Sequence, residues 1–131
     1  MIDLNRYSGG VQHIGIPTND IGRTIAFYTS LGFVVDLLTE NKAADEKVVF
    51  LRLGNLTVEA YENRSAVMQA GAIDHIAIDV KHIDELFAEV EAGGFRMLTP
   101  EIQSLPFWER GIRYFIILGP NEEKIEFCEK L

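Results

Sequence analysis

The sequence predicts an α+β fold assembled from two β-α-β-β-β modules. Three observations predict it. His13-Ile14-Gly15-Ile16 recurs as His75-Ile76-Ala77-Ile78, 62 residues later. Gly32-Phe33 recurs at the same spacing as Gly94-Phe95. Between these marks, Ile21, Ile25 and Tyr28 repeat as Ile83, Phe87 and Val90. A strand opener, a helix stripe and a helix stop that keep one offset together indicate duplication of a supersecondary unit.

The elements of the first module follow from local pattern. Residues 11–17 alternate and are β-branched, which reads as a strand. Asn19 or Asp20 can cap the helix that carries the Ile21, Ile25, Tyr28 stripe. Gly32 ends it, since glycine adopts a left-handed conformation cheaply. Residues 33–39, 47–53 and 56–61 read as three further strands, the last two joined by a turn at Gly54-Asn55. Residues 62–72 show no alternation and read as a linker. In the second module, 73–80 is the strand and 83–92 the helix. A short strand starts at Phe95, and strands 111–118 and 124–129 meet at Gly119-Pro120-Asn121. The insertion 99–110, with two prolines and two aromatics, reads as a loop. The expectation is one domain over 1–131, made of module 11–61, linker 62–72 and module 73–129.

Bulk properties narrow the function. The 131 residues are 47% hydrophobic and carry a net charge of −8. Nucleic acid and anionic membranes select basic surfaces, so neither is an expected partner. No window approaches the ~20 apolar residues of a membrane span. Residues 1–10 lack a signal-peptide core. The single Cys128 excludes an intramolecular disulfide and suits a reducing compartment. A cytoplasmic protein that handles small molecules is therefore expected.

Side chains alternate across a strand, so parity sorts them onto two faces. Ile14 and Ile16 oppose His13 and Gly15. Val58 and Ala60 oppose Glu59 and Tyr61. Ile76, Ile78 and Val80 oppose His75 and Ala77, while Ile125 and Phe127 oppose Glu126 and Cys128. The apolar faces need the helices as cover. Each module then offers one histidine from its first strand and one glutamate from its last on the other face. If the modules pack about a pseudo-two-fold axis, His13, Glu59, His75 and Glu126 converge. Two imidazoles and two carboxylates suit one divalent transition metal with positions left open to solvent or substrate. Singly, each of these residues would read as an ordinary strand residue on a solvated face.

The motifs His13-Ile-Gly-Ile, Phe27-Tyr28, Leu31-Gly32-Phe33, Val58-Glu59, His75-Ile-Ala-Ile and Gly119-Pro120-Asn121 through Lys124-Ile125-Glu126-Phe127 carry a family resemblance. The chain resembles the vicinal oxygen chelate superfamily over residues 11–129, and most closely its glyoxalase I (lactoylglutathione lyase) branch. That resemblance implies paired modules forming a curved, mostly antiparallel sheet around a metal cavity. It implies metal ligands His13, Glu59, His75 and Glu126, and nickel or zinc as the ion, with cobalt, manganese or iron as alternatives. It implies detoxification of methylglyoxal through isomerisation of its thiol hemithioacetal, the thiol being glutathione or bacillithiol, by way of an enediolate. Glu126 is the first candidate for the proton-transferring base, with Glu59 as its partner.

Taking Leu53 and Leu118 as helix-facing, parity points Arg52 and Arg113 to the open face, where a guanidinium could hold a carboxylate of the thiol. Trp108, with Phe107, is a candidate apolar lid. A homodimer is expected, with the site formed within one chain or shared, His13 and Glu59 coming from one subunit and His75 and Glu126 from the other. Two other functions fit the same residues. One is a metal-dependent epimerase or lyase acting on another α-hydroxy carbonyl metabolite. The other is a non-catalytic module that binds a drug or metabolite.

Overall fold

The computed structural model describes residues 1–131 and divides into two compact units, Met1–Ala66 and Val67–Leu131. After a 3-10 turn at Leu4–Arg6, the first unit contains β1 (Ile14–Pro17), α1 (Ile21–Ser30), β2 (Val34–Asn41), β3 (Glu46–Leu53) and β4 (Leu56–Tyr61). The second contains β5 (His75–Asp79), α2 (Ile83–Ala92), β6 (Arg96–Met97), β7 (Gln103–Leu105), β8 (Ile112–Leu118) and β9 (Lys124–Lys130). Neither helix is long and apolar enough to cross a membrane.

Each unit builds its own sheet, and the two follow one plan. The first has strand order β1-β4-β3-β2 and the second β5-β9-β8-β6, with β7 added beside β8. In both, the first strand runs parallel to the last, and the other pairings are antiparallel. The registers correspond as well. Ile14, Gly15 and Ile16 face Val58, Glu59 and Ala60, while Ile76, Ala77 and Ile78 face Ile125, Glu126 and Phe127.

The predicted apolar face is the buried one. Val49, Leu51, Val58 and Ala60 are fully buried together with Ile21 and Tyr28 of α1. In the second unit, Phe115, Ile117, Ile125 and Phe127 are buried with Ile83 and Val90 of α2, and the Phe87 and Phe115 rings meet edge to face at 5.1 Å. In α1 the third buried position is Thr24 rather than Ile25. Its hydroxyl hydrogen-bonds that of Thr18 at 2.9 Å, which satisfies both polar groups inside the core. Gly32 and Gly94 both end their helices at positive φ, +97° and +77°.

Several boundaries differ from the sequence reading: β1 spans Ile14–Pro17 rather than 11–17, which leaves His13 just before it, and β5 spans His75–Asp79 rather than 73–80. Residues 103–105 of the insertion form β7, paired to β8. The 62–72 stretch begins as part of the first unit rather than as a free linker. Glu62 N–H donates to Lys47, Arg64 N–H to Thr18 and Ala66 N–H to the side chain of Asn19.

Both helices start against a carboxylate from the end of their own sheet. The Glu62 carboxylate accepts from Ile21 N–H at 2.7 Å, and Glu129 accepts from His82 and Ile83 N–H at 3.0 and 3.2 Å. The α1 start is also capped by the predicted Asp20, which accepts from Arg23 N–H. The α2 start has no local side-chain cap and sits on a left-handed His82, so Glu129 alone supplies the anionic acceptor that a helix N-terminus favours. Glu62→Ala and Glu129→Ala are each expected to cost about 1–2 kcal/mol in urea unfolding. The exposed Glu91→Ala should stay within about 0.5 kcal/mol of wild type. Equal midpoints for all three variants would show that these caps contribute nothing.

Candidate functional site

In the first unit, the parallel register of β1 and β4 sets Gly15 beside Glu59, with His13 two residues before Gly15 and therefore on the same face. His13 Nε2 lies 3.7 Å from Glu59 Oε1. The imidazole edge rests on Phe50 at 5.6 Å between ring centres, and Phe50 is Glu59's partner across β3 and β4. The other ring nitrogen, Nδ1, meets the side-chain oxygen of Gln12. A methyl group added at Gly15 would meet Glu59 Oε1 at 3.7 Å and Tyr61 at 3.6 Å, ordinary contact distances, so this position lies directly against the carboxylate.

The second unit repeats this arrangement. Ala77 stands beside Glu126, and His75 Nε2 lies 3.4 Å from Glu126 Oε2. His75 Nδ1 meets Asp74 Oδ2 at 3.0 Å, and the other oxygen of Asp74 accepts from Lys124 Nζ at 2.8 Å. Lys124, together with His75, holds the Asp74 carboxyl below its ordinary value. Cys128 shares the face of Glu126, and burial, reinforced by that carboxylate, pushes its thiol up.

The structure thus brings His13 to Glu59 and His75 to Glu126. No group of three or more His, Cys, Asp or Glu side chains is arranged to hold a metal ion, and within each unit the histidine and glutamate stand as a pair. Each pair fits such an ion. Two ligands bonded at about 2.1 Å with right or tetrahedral angles lie about 3.0–3.4 Å apart, and the pairs approach that separation with Nε2 facing the carboxylate.

The weaker candidates have other partners. Arg52 does lie on the face of Glu59, but its guanidinium is held by Asp36 of β2 at 2.9 Å. Arg113 departs from its predicted direction. It shares the parity of Phe115 and Ile117, which pack against α2, and forks onto Asp84 of that helix at 2.7 and 2.8 Å. Trp108 is 64% exposed and adopts a left-handed backbone conformation. The Lys130 ammonium sits 5.2 Å from its ring and Phe107 packs edge-on to it. Lys130 is four residues past Glu126, about 13 Å along an extended strand. Trp108 therefore stands at the end of the sheet, beside an open depression of about 560 Å³ lined by Leu105, Pro106, Arg110 and Leu131. The sequence reading missed Gln12, Asp74, Glu62 and Glu129. All four were visible as repeats, Gln12 and Asp74 at the offset of the histidines, Glu62 and Glu129 at that of Glu59 and Glu126.

Two units on one β-α-β-β-β plan, each with a histidine at or just before the start of its first strand and a glutamate on its last, define a class, and comparison with known proteins agrees. Residues 12–112 match the glyoxalase/bleomycin resistance protein/dioxygenase superfamily. The chain belongs to that family, the vicinal oxygen chelate superfamily. It is 31% identical over 126 residues to the uncharacterized protein YwbC of Bacillus subtilis (strain 168), which covers 92% of this chain and 97% of that protein. Among solved structures, a glyoxalase family protein from Enterococcus faecalis is similar with a TM-score of 0.78 and 21% identity, over 94% of this chain and 99% of that one. The fosfomycin resistance protein FosX from Listeria monocytogenes, complexed with Mn(II) and sulfate, is similar with a TM-score of 0.71 and 19% identity, over 95% and 94%. At these identities the two structures establish the fold.

The Arg113–Asp84 fork gives a pH signature. Arg113 holds the Asp84 carboxyl below its ordinary value of 3.8. A carboxyl with a lowered folded value binds fewer protons folded than unfolded, so its stabilisation is present above the unfolded value and lost as pH falls through the folded one. The stability gap between wild type and Asp84→Asn is expected to be constant at neutral pH and to close as pH drops below the ordinary carboxylate value. It should also shrink in high salt, because the pair is exposed. An Arg113 free to hold substrate would give no such gap at any pH.

Proposed function

We propose that this protein is a metal-dependent lyase of the glyoxalase I kind, isomerising the hemithioacetal of methylglyoxal and a thiol to an S-hydroxyacyl thiol. The observation that carries the reading is the repeated His–Glu pair, one in each unit, in the same register and each with a small neighbour, Gly15 or Ala77. His13, Glu59, His75 and Glu126 are proposed as the protein donors to one divalent ion. Two imidazoles and two carboxylates accept nickel, zinc, cobalt, manganese or iron. Mn(II) in the FosX structure supports divalent metal use on this fold.

A bound divalent cation would supply Lewis acidity, lowering the cost of negative charge on oxygens next to the carbon that loses its proton. The chain's own residues do the rest. Glu126 takes the proton from one carbon at a carboxylate oxygen and returns it to the next, which needs no outside acid or base. Glu59 is its counterpart in the first unit. His75 and His13 hold position through Nδ1 and present Nε2. Phe50 gives the His13 ring an edge-on aromatic contact on one side. The substrate is proposed to be a glutathione or bacillithiol adduct, and the location cytoplasmic. A homodimer is proposed as well, supported by β2, an edge strand whose Val34, Val35, Leu37 and Leu38 are all exposed. Such an edge is a template for pairing unless something covers it.

The test is turnover of methylglyoxal with each thiol, with fosfomycin as a separate arm. Protein stripped by chelator should be inactive and regain activity with nickel, zinc or manganese. Glu126→Gln should lower kcat about 10²–10⁴-fold, the usual worth of a general base. Full activity after stripping, or an unchanged Glu126→Gln, contradicts the reading. Metal uptake with no turnover of any thiol adduct would favour the epimerase or lyase on another metabolite, and no metal uptake with no chelator effect would favour the binding module.

A further inference from the structure

We infer that the depression beside Trp108 is a binding site for a small aromatic carboxylate. It lies wholly within the second unit, and it stands whether or not the His–Glu pairs hold a metal. Its shape comes from one hairpin. Strands β7 and β8 pair as far as Leu105 and Ile112, and residues 106–111 close the loop between them. Gly111 makes that closure at a φ of +89°, with the Leu105 carbonyl oxygen 3.0 Å from where a Cβ would stand. Its own carbonyl accepts from Leu131 N–H at 3.0 Å, which ties the chain just past β9 to the loop. The hollow so formed has a volume of about 560 Å³ and the apolar residues Leu105, Pro106, Ile112 and Leu131 in its lining. That volume falls within the ~300–1,000 Å³ of small-molecule sites.

Two features of the rim select the ligand. The first is Trp108, the one tryptophan of the chain, which is 64% exposed and holds a left-handed backbone at a φ of +59°. That conformation is costly for a bulky residue, and outliers of this kind cluster at ligand sites. An exposed indole offers a stacking partner to a flat ring. The second feature is charge. The chain carries −8 overall, yet two cations beside Trp108 have no carboxylate partner. Lys130 Nζ sits 5.2 Å from the indole centre and makes no ion pair. The Arg110 guanidinium lines the hollow and makes none either. Arg113 lines it too, but Asp84 neutralises it. Glu109 is the one acidic side chain of the lining, and it pairs with neither free cation. A guanidinium takes a carboxylate through two parallel N–H bonds. The ligand's ring therefore lies against Trp108 and the apolar lining, with its carboxylate on Arg110 and Lys130 adding charge. A neutral ring would leave Arg110 unused, and a small inorganic anion would leave the apolar lining in water.

Trp108 fluorescence reports on this site alone, because no other tryptophan contributes. Titration of the full chain with hydrocinnamate, which is transparent at the red edge of tryptophan absorption, should give a saturable change. A Kd of about 1 mM is expected for a ligand of so few atoms. Hydrocinnamyl alcohol keeps the ring without the charge, and acetate keeps the charge without the ring. Each should bind at least about tenfold more weakly. Arg110 is exposed, so Arg110→Gln leaves the fold intact, and it should weaken hydrocinnamate about tenfold. Arg23 of α1 is exposed and equally free of ion pairs, and Arg23→Gln should titrate like the wild type. The Gly111 amide signal should move with the indole signal in ¹H–¹⁵N spectra. The inference is overturned by an unsaturable wild-type response, or by an Arg110→Gln no weaker than Arg23→Gln. Alcohol or acetate binding as tightly as hydrocinnamate overturns it too. None of these results bears on the glyoxalase reading, which is tested by metal and turnover.

Discussion

The parallel pairing of the first and last strand within each unit is the constraint on which the site depends. Residues paired across two parallel strands present their side chains on one face, so the register alone sets Gly15 with Glu59 and Ala77 with Glu126. The histidine two residues upstream necessarily shares that face. The residue beside the glutamate is small in both units, Gly15 and Ala77, and a Cβ at Gly15 would lie in contact with the Glu59 carboxylate. A one-residue slip would send both functional groups into the helix-packed core. The strand that carries each functional glutamate also carries or leads into the helix-capping one. The motif Glu-x-x-Glu, at 59 and 62 and at 126 and 129, uses opposite parity to send one carboxylate to each face. Register, helix anchoring and site are therefore fixed by the same few residues.

The duplication has not kept the units identical, and the differences fall around the site. Asp74 with its lysine stands where the first unit has Gln12, and Ala77 replaces Gly15. The second unit adds β7 and the Trp108 turn, while the first closes its sheet with the apolar edge strand β2. The pair in the first unit leans on an aromatic wall at Phe50. In the second, His75 leans on a chain of charges. The two units thus present similar His–Glu pairs with different support.

Most of the fold was legible because the pattern was unambiguous where it mattered. Strands β1, β4, β5 and β9 alternate clearly, so parity assigned His13, Glu59, His75 and Glu126 to the open faces correctly. The family resemblance added the expected chemistry. Parity failed at Arg113 because β8 reads Ile-Arg-Tyr-Phe-Ile-Ile-Leu, with apolar residues on both faces and no marker to distinguish them. Leu118 reads as helix-facing by its position at the strand end, whereas Phe115 and Ile117 hold that side. Strand β7 was hidden by flanking prolines and by its three-residue length. Glu62 was hidden in a stretch with no periodicity, since a single side chain capping a helix 41 residues away leaves no local pattern. Comparing the two modules residue by residue would have exposed it, along with Gln12 and Asp74.

The central claim is that the two His–Glu pairs are the protein ligands of one divalent ion. X-ray absorption on the zinc- or nickel-loaded protein tests it most directly. The account predicts a shell of nitrogen and oxygen donors only, with the multiple-scattering signature of two imidazoles, falling to one in His75→Ala. A shell with no imidazole scattering, or with sulfur from Cys128, would contradict it.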